Sequence, residues 1–396
     1  MSLPRALRAN PQALPRALRP QCLPVVAKRW KSGPYGYTQA KALVYSQYGE
    51  PSDVLSLHKH SISPSLPPST ILLRTLAAPI NPADINQIQG LYPSRPPLTS
   101  LLGTPTPSAV AGNEGCFEVT QLGPGIKTLQ KGDWVIMKKP CFGTWRTHAL
   151  ASENDVLKIE NKDGLSVIQV GTVGINPVTA WWMLKGFVDL EAGRDWFIQN
   201  GGNSGVGRAA VQLGREWGLK SVSIVRSRPT AEETEGLKKE LMELGATKVI
   251  TEEELQSREG AAQIKDWTDG NLKLGLNCVG GKPALALTKT LSPAGHLVTY
   301  GAMSKQPLSL PASLLIFKDL RFSGFWVSRY AEGKDAEKKE IVDSILELTR
   351  QGKFKDIPVQ EMRWEWETEG EKLKEAVSGT LEGFRSGKGV LVFGDT

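Results

Sequence analysis

Eight consecutive residues, Asn200-Gly201-Gly202-Asn203-Ser204-Gly205-Val206-Gly207, carry four glycines between a short apolar run, Trp196–Gln199, and a helix-like stretch, Ser204–Gly218. In that stretch Val206, Ala210, Leu213 and Trp217 recur at helical spacing. A glycine-rich turn from strand to helix lets backbone N–H groups approach a pyrophosphate, and the helix N-terminus favours the anion. The segment Asn200–Gly207 is the candidate phosphate loop. It departs from the usual G-x-G-x-x-G, because Ser204 stands where a glycine is expected. The serine Cβ crowds the approach, but its hydroxyl can donate to phosphate. The next strand ends in Val225-Arg226-Ser227-Arg228. An NAD site usually carries a carboxylate there for the ribose 2′-OH. Two guanidinium forks and a hydroxyl instead match a 2′-phosphate. The pattern predicts NADPH rather than NADH.

Metal chemistry has less support. His58, His60, His148 and His296 form no ligand pair by spacing, and His58 and His60 read as surface strand residues. Cys22, Cys116, Cys141 and Cys278 contain no CxxC, which excludes a disulfide framework or a zinc ribbon. No metal is expected.

Charge narrows the partners. Residues 1–37 hold seven of the 48 Lys and Arg and no acidic residue, and the first acid is Glu50. The remaining 41 basic residues equal the 41 acidic ones, so no broad footprint for nucleic acid is present. The Arg-rich, acid-free start reads as a mitochondrial transit peptide, with a disordered basic tail as the bland alternative. Pro4, Pro11, Pro15 and Pro20 interrupt the amphipathic helix such peptides form. No uninterrupted apolar run approaches the ~18 residues of a membrane span.

These candidate groups need elements to position them. Residues 38–175 read as β-rich: Ala42–Tyr45, Ile71–Ala77, Gly115–Leu122 and Trp134–Met137 are strand-like and separated by turn residues. Beyond residue 176, strands and helices alternate. Ser221–Val225, Lys248–Ile250, Leu274–Cys278 and His296–Tyr300 continue the strands, and Thr230 with Glu233 starts a helix that ends near Gly245. The alternation predicts a parallel, doubly wound sheet over 176–339. The tail, 340–396, contains the end of a helix (Ala336–Arg350) and a closing strand, Gly389–Phe393, and is expected to rejoin the first domain.

The stretch Ala78-Pro-Ile-Asn-Pro-Ala-Asp-Ile-Asn-Gln-Ile-Gln-Gly-Leu-Tyr-Pro93 resembles the matching segment of the medium-chain dehydrogenase/reductases, most closely the mitochondrial 2-enoyl thioester reductases. Gly112-Asn-Glu-Gly115, Gly174-Ile-Asn-Pro177, Gln199–Gly207, Arg226–Arg228 and Tyr300-Gly-Ala-Met303 match as well, so the resemblance covers roughly 38–396. It implies a β-rich GroES-like catalytic domain plus a Rossmann cofactor domain, paired as a homodimer. The zinc-dependent branch has Cys then Gly-Thr-Asp where this chain has Asn81-Pro82-Ala83-Asp84, and Gly-His-Glu where it has Gly112-Asn113-Glu114. Asn113 is a poor zinc ligand.

The implied activity is NADPH-dependent reduction of the 2,3 double bond of an enoyl thioester carried by acyl carrier protein or CoA. The resemblance puts the proton donor on Tyr92, whose ordinary phenol pKa near 10 keeps it protonated. It implies cofactor contacts at Asn176, Asn203, Ser204, Gly205 and Val206, at Tyr300, Gly301, Ala302 and Met303, at Phe325, Trp326 and Val327, and at Lys388. Trp181, Trp182 and Trp326 are candidates for the acyl pocket. Arg95, Lys318, Arg321 and Arg329 are candidates for a basic rim toward an acidic carrier. A quinone or enone reductase of the same superfamily shares these features and stays open. A non-catalytic cofactor-binding module is the rival from another class.

Overall fold

The computed structural model describes residues 33–379 and 387–396, so the expected transit peptide lies almost wholly outside the described residues. Alternation of strand and helix from residue 196 produces a six-stranded parallel sheet. From edge to edge it runs Lys248–Thr251, Lys220–Val225, Trp196–Gln199, Leu272–Asn277, His296–Thr299 and Arg321–Gly324. This is the doubly wound order, in which the first strand is central and the chain switches direction beside it. The central strand is buried along its whole length, as expected of a strand covered by helices on both faces.

Local signals explain where the helices begin. The Thr230 hydroxyl accepts from Glu233 N while Glu233 reaches back to Thr230 N, so the capping box forms as the sequence suggests. That helix, Ala231–Leu244, stops at Gly245, whose φ of 132° suits glycine alone. Three helices have weaker sequence signals: Glu252–Gln256, Arg258–Thr268 and Gly281–Thr290. The first opens with three glutamates and the last with Gly-Lys-Pro, which blur the apolar period.

The N-terminal half is a second, mostly antiparallel sheet. Its main path runs Val359–Trp364, Lys388–Phe393, Thr70–Pro79, Cys116–Leu122, Trp134–Met137 and Val156–Lys158, with His148–Ser152 also paired to Thr70–Pro79. Thr38–Tyr45 lies between Ser56–Ile62 and Ala109–Val110 in a smaller sheet. The tail thus returns to the first half through two strands. The helix Asp335–Arg350 runs through position 340 and buries Ile341, Val342, Ile345 and Leu346 in a core shared with Val178, Trp182 and Phe197. His58 and His60 do lie on a strand, but half-buried with their rings stacked 6.0 Å apart. Burial pushes His60 down to about 4.

Candidate functional site

Tyr92 is positioned by the way one short helix ends. Asn81 N donates to Asp84 Oδ2 at 2.7 Å to open the helix Pro82–Ile88. Gly90, at φ 75°, turns the chain out of it, and a Cβ there would stand 2.9 Å from the Tyr48 ring. Leu91 N and Tyr92 N then both donate to Asn86 O, at 2.8 and 3.1 Å. The phenol therefore sits one turn beyond the helix, half-buried. Its ring meets Trp326 edge-on, with centroids 5.9 Å apart and planes at 82°. Trp326 follows the last strand of the parallel sheet, so the contact joins the two halves. Burial raises the Tyr92 pKa, and the neighbouring indole N–H partly offsets it. That N–H is buried, and the phenol is the group it faces.

A cleft of about 490 Å³ opens at this contact. It is lined by Tyr92, by Asn176, by Ser204, Gly205 and Val206, by Tyr300, Gly301, Ala302 and Met303, by Phe325, Trp326 and Val327, and by Lys388. A second cavity of about 640 Å³ shares Ser204, Gly205 and Lys388 with it and adds Asn203 and Arg228. Together they make a path from the phenol, past the glycine loop, to the end of the second strand. Arg226 and Ser227 line neither cavity. The Ser227 hydroxyl instead donates to Glu253 Oε2 at 2.7 Å.

The glycine loop is tight enough to require its glycines. A Cβ on Gly207 would stand 2.6 Å from the carbonyl oxygens of Gly201 and Gly202, and one on Gly205 2.7 Å from Asn176 Nδ2. Ser204 caps the helix Gly205–Glu216, its hydroxyl accepting from Gly207 N at 3.1 Å. The same hydroxyl lies by the Tyr300 phenol and can donate to it or to a phosphate oxygen. Arg208, which the sequence reading did not single out, donates to Asn203 O at 3.1 Å and pairs with Glu240 at 2.7 Å. It braces the loop and itself lines the second cavity.

Beneath the cleft lies a buried polar network. The Lys388 ammonium donates to Asn81 Oδ1. Asn81 Nδ2 donates to Glu114 at 3.1 Å, and Ile175 N donates to the other Glu114 oxygen at 2.9 Å. Asn113 Nδ2 donates to Asp84 at 2.5 Å and to Gln87 at 2.6 Å. Gln87 Nε2 donates to Ser94 O at 2.8 Å, two residues past Tyr92. Burial raises Asp84 to about 6 and raises Glu114, while Lys388 lowers both. Burial in turn lowers Lys388. Gln87 carried no sequence signal, because its importance depends on two loops meeting it.

Asn113 Oδ1 also accepts from Cys141 N at 2.7 Å, so the side chain at the zinc branch's histidine position is fully engaged with protein. Among the described residues no three His, Cys, Asp or Glu are grouped to hold a metal. This donor set does not fit zinc. Two of the rim candidates also lie elsewhere. Lys318 donates to Lys289 O and Leu291 O, closing a helix end. Arg321 begins its strand, whereas the cleft lies beyond strand ends, at Tyr300 and Phe325.

Two domains, a doubly wound sheet and a cleft from glycine loop to phenol define a medium-chain dehydrogenase/reductase. The description "Alcohol dehydrogenase GroES-like domain" matches residues 67–161, and "Zinc-binding dehydrogenase" matches 205–348. The mitochondrial enoyl-[acyl-carrier-protein] reductase of Yarrowia lipolytica is 50% identical over 320 residues, 81% of this chain and 82% of that one. An NADPH quinone oxidoreductase of Kluyveromyces marxianus is 41% identical over 80% of this chain and 83% of its own. The Etr1p complex with NADP and crotonyl-CoA superposes with a TM-score of 0.85 at 40% identity, covering 89% of this chain and 99% of that one. The mitochondrial 2-enoyl thioester reductase Etr1p/Etr2p heterodimer from Candida tropicalis matches equally, with a TM-score of 0.85, 40% identity and the same coverage. The chain belongs to the mitochondrial enoyl-[acyl-carrier-protein] reductase family of that superfamily.

Proposed function

We propose that this protein is an NADPH-dependent reductase of the 2,3 double bond of trans-2-enoyl thioesters, acting in mitochondrial fatty acid synthesis. The observation that carries the reading is the Tyr92 phenol, held against Trp326 in a cleft continuous with the glycine loop. Its relatives' names support the mitochondrial setting and the thioester substrate.

NADPH, when bound, supplies hydride to the β-carbon of the enoyl thioester. Tyr92 keeps its proton at any physiological pH, since burial lifts an already high pKa, and delivers it to the α-carbon. Asn203, Ser204, Gly205 and Val206 bind the pyrophosphate, with Arg226, Ser227 and Arg228 on the 2′-phosphate. Asn176, Tyr300, Gly301, Ala302, Met303 and Val327 shape the nicotinamide end, and Phe325 and Trp326 exclude water. Lys388 places an ammonium at the seam between the two cavities. The cofactor domain runs from 176 through the helix Asp335–Arg350, whose buried face packs on Val178, Trp182 and Phe197. The expected boundary at 340 therefore moves to the end of that helix, and the catalytic domain comprises 38–175 and the tail beyond it. The enzyme acts as a dimer, with two copies of this chain the simplest form. Among the described residues, no helix is long and apolar enough to cross a membrane.

The quinone oxidoreductase at 41% identity favours one second reading, quinone reduction at the same site. Tyr92→Phe separates the two. NADPH oxidation with crotonyl-CoA should fall by about 10²–10⁴-fold, the usual contribution of a positioned acid. Quinone reduction, which needs no proton at carbon, should change little. Full crotonyl-CoA turnover by the variant would reject the assignment.

A further inference from the structure

The second and third strands of the parallel sheet end side by side, with Val225 in register with Thr251. Just beyond them the Arg226 guanidinium acts on Glu252 and the Ser227 side chain reaches Glu253. The Ser227 hydroxyl donates to Glu253 at 2.7 Å, and this bond holds the Glu253 carboxyl below its usual range. Glu252 is half-buried; burial raises its carboxyl, and the Arg226 guanidinium opposes that. The third glutamate does a different job. Glu254 accepts from Thr251 N at 2.6 Å and pairs with Lys238 at 2.8 Å, which builds the helix start. Of the three residues expected at a 2′-phosphate, only Arg228 lines the phosphate cavity.

We propose that Glu252 and Glu253 weaken binding of the 2′-phosphorylated cofactor selectively, by competing with the phosphate for Arg226 and Ser227. The inference rests on the NADPH reading above. A 2′-phosphate that engages Ser227 must take its hydroxyl from Glu253. It also brings negative charge beside two carboxylates, and like charges repel at such range. A cofactor with a free 2′-hydroxyl makes no such exchange. These glutamates are thus specificity-determining residues at the start of the helix that follows the third strand, a place where the dinucleotide fingerprint itself has none.

The test uses the full chain without substrate, titrated with NADP⁺ and NAD⁺ and read by calorimetry. Glu253→Gln should tighten NADP⁺ by about three- to tenfold, the range of one hydrogen bond's net worth, with NAD⁺ unchanged. Glu252→Gln should act in the same direction, and the gain from both should shrink at high salt. In a Ser227→Ala background the Glu253→Gln gain should largely vanish. NADP⁺ binding that is unchanged or weaker in both variants, or NAD⁺ tightened equally, overturns the proposal. Arg228→Ala separates the two levels of inference. An equal loss for both cofactors would sink the NADPH reading, whereas a selective NADP⁺ loss beside a silent Glu253→Gln would sink only the competition.

Discussion

The Lys388 ammonium, at the start of the last strand, donates to the amide oxygen of Asn81, which opens the helix leading to Tyr92. The two residues are 307 positions apart. The bond ties the tail of the chain to the base of the cleft, next to two buried carboxylates.

Lys388→Met should therefore lower stability and NADPH affinity together. Breaking a buried pair costs about 3–5 kcal/mol, and the loss here should fall at the lower end because Lys388 opens onto the cleft. Urea unfolding and NADPH fluorescence titration read the two effects. A variant as stable as the parent protein would show that Asp84 and Glu114 do not need this counter-charge.

Gly207→Ala should be worse than Gly205→Ala. The new methyl at 207 meets two backbone carbonyls that cannot move, whereas at 205 it meets the end of the Asn176 side chain. Overpacking of this kind costs about 1–3 kcal/mol. Thermal melting should show the larger drop for Gly207→Ala, while Gly205→Ala should mainly weaken NADPH binding by displacing Asn176. The reverse order would mean that the loop relaxes more freely than its contacts imply.

Arg228→Ala should reduce NADPH affinity more than Arg226→Ala, with NADH little affected by either. A charge-assisted hydrogen bond is worth about 1.5–3 kcal/mol, which corresponds to roughly 10–150-fold in affinity. Arg226 should contribute less because it starts out facing Glu252. Equilibrium titration of the two single variants measures the difference, and a larger loss for Arg226→Ala would reverse the assignment.

Lys338 offers a pH test of how the halves are held together. Its ammonium is buried and donates to Lys138 O at 2.8 Å, across the domain seam. Burial pushes its pKa down to about 8, against 10.5 for the ordinary group. Between those two values the unfolded chain binds more protons than the folded one, so stability rises with pH. The gain is complete above the unfolded value and is lost as pH falls through about 8. Relative to Lys338→Met, the parent protein should gain about 1 kcal/mol per pH unit across that window. Denaturant unfolding at pH 8, 9 and 10 checks it; a flat difference would place the Lys338 pKa near its ordinary value.

The parts of the site that could be read from the sequence share one property: their signals are local. The glycine loop, the Thr230–Glu233 capping box and the Gly245 stop each depend on residues a few positions apart, so the chain states them directly. The short strand Arg321–Gly324 had no such signal, because four residues with exposed ends show no period. Gln87 and Glu253 also escaped notice, since nothing in their own neighbourhood distinguishes them from other polar residues on helices.

By itself the sequence determined the alternation of strand and helix as far as His296–Tyr300, the phosphate loop and the absence of a carboxylate at the second strand's end. These follow from periodicity and from the φ angles that glycine alone tolerates. Only the tertiary structure decided that Tyr92 faces Trp326, that Lys388 reaches Asn81 and that Ser227 answers to Glu253. Such pairings depend on which sheet ends meet once both cores are buried, and that is a property of the whole chain's packing.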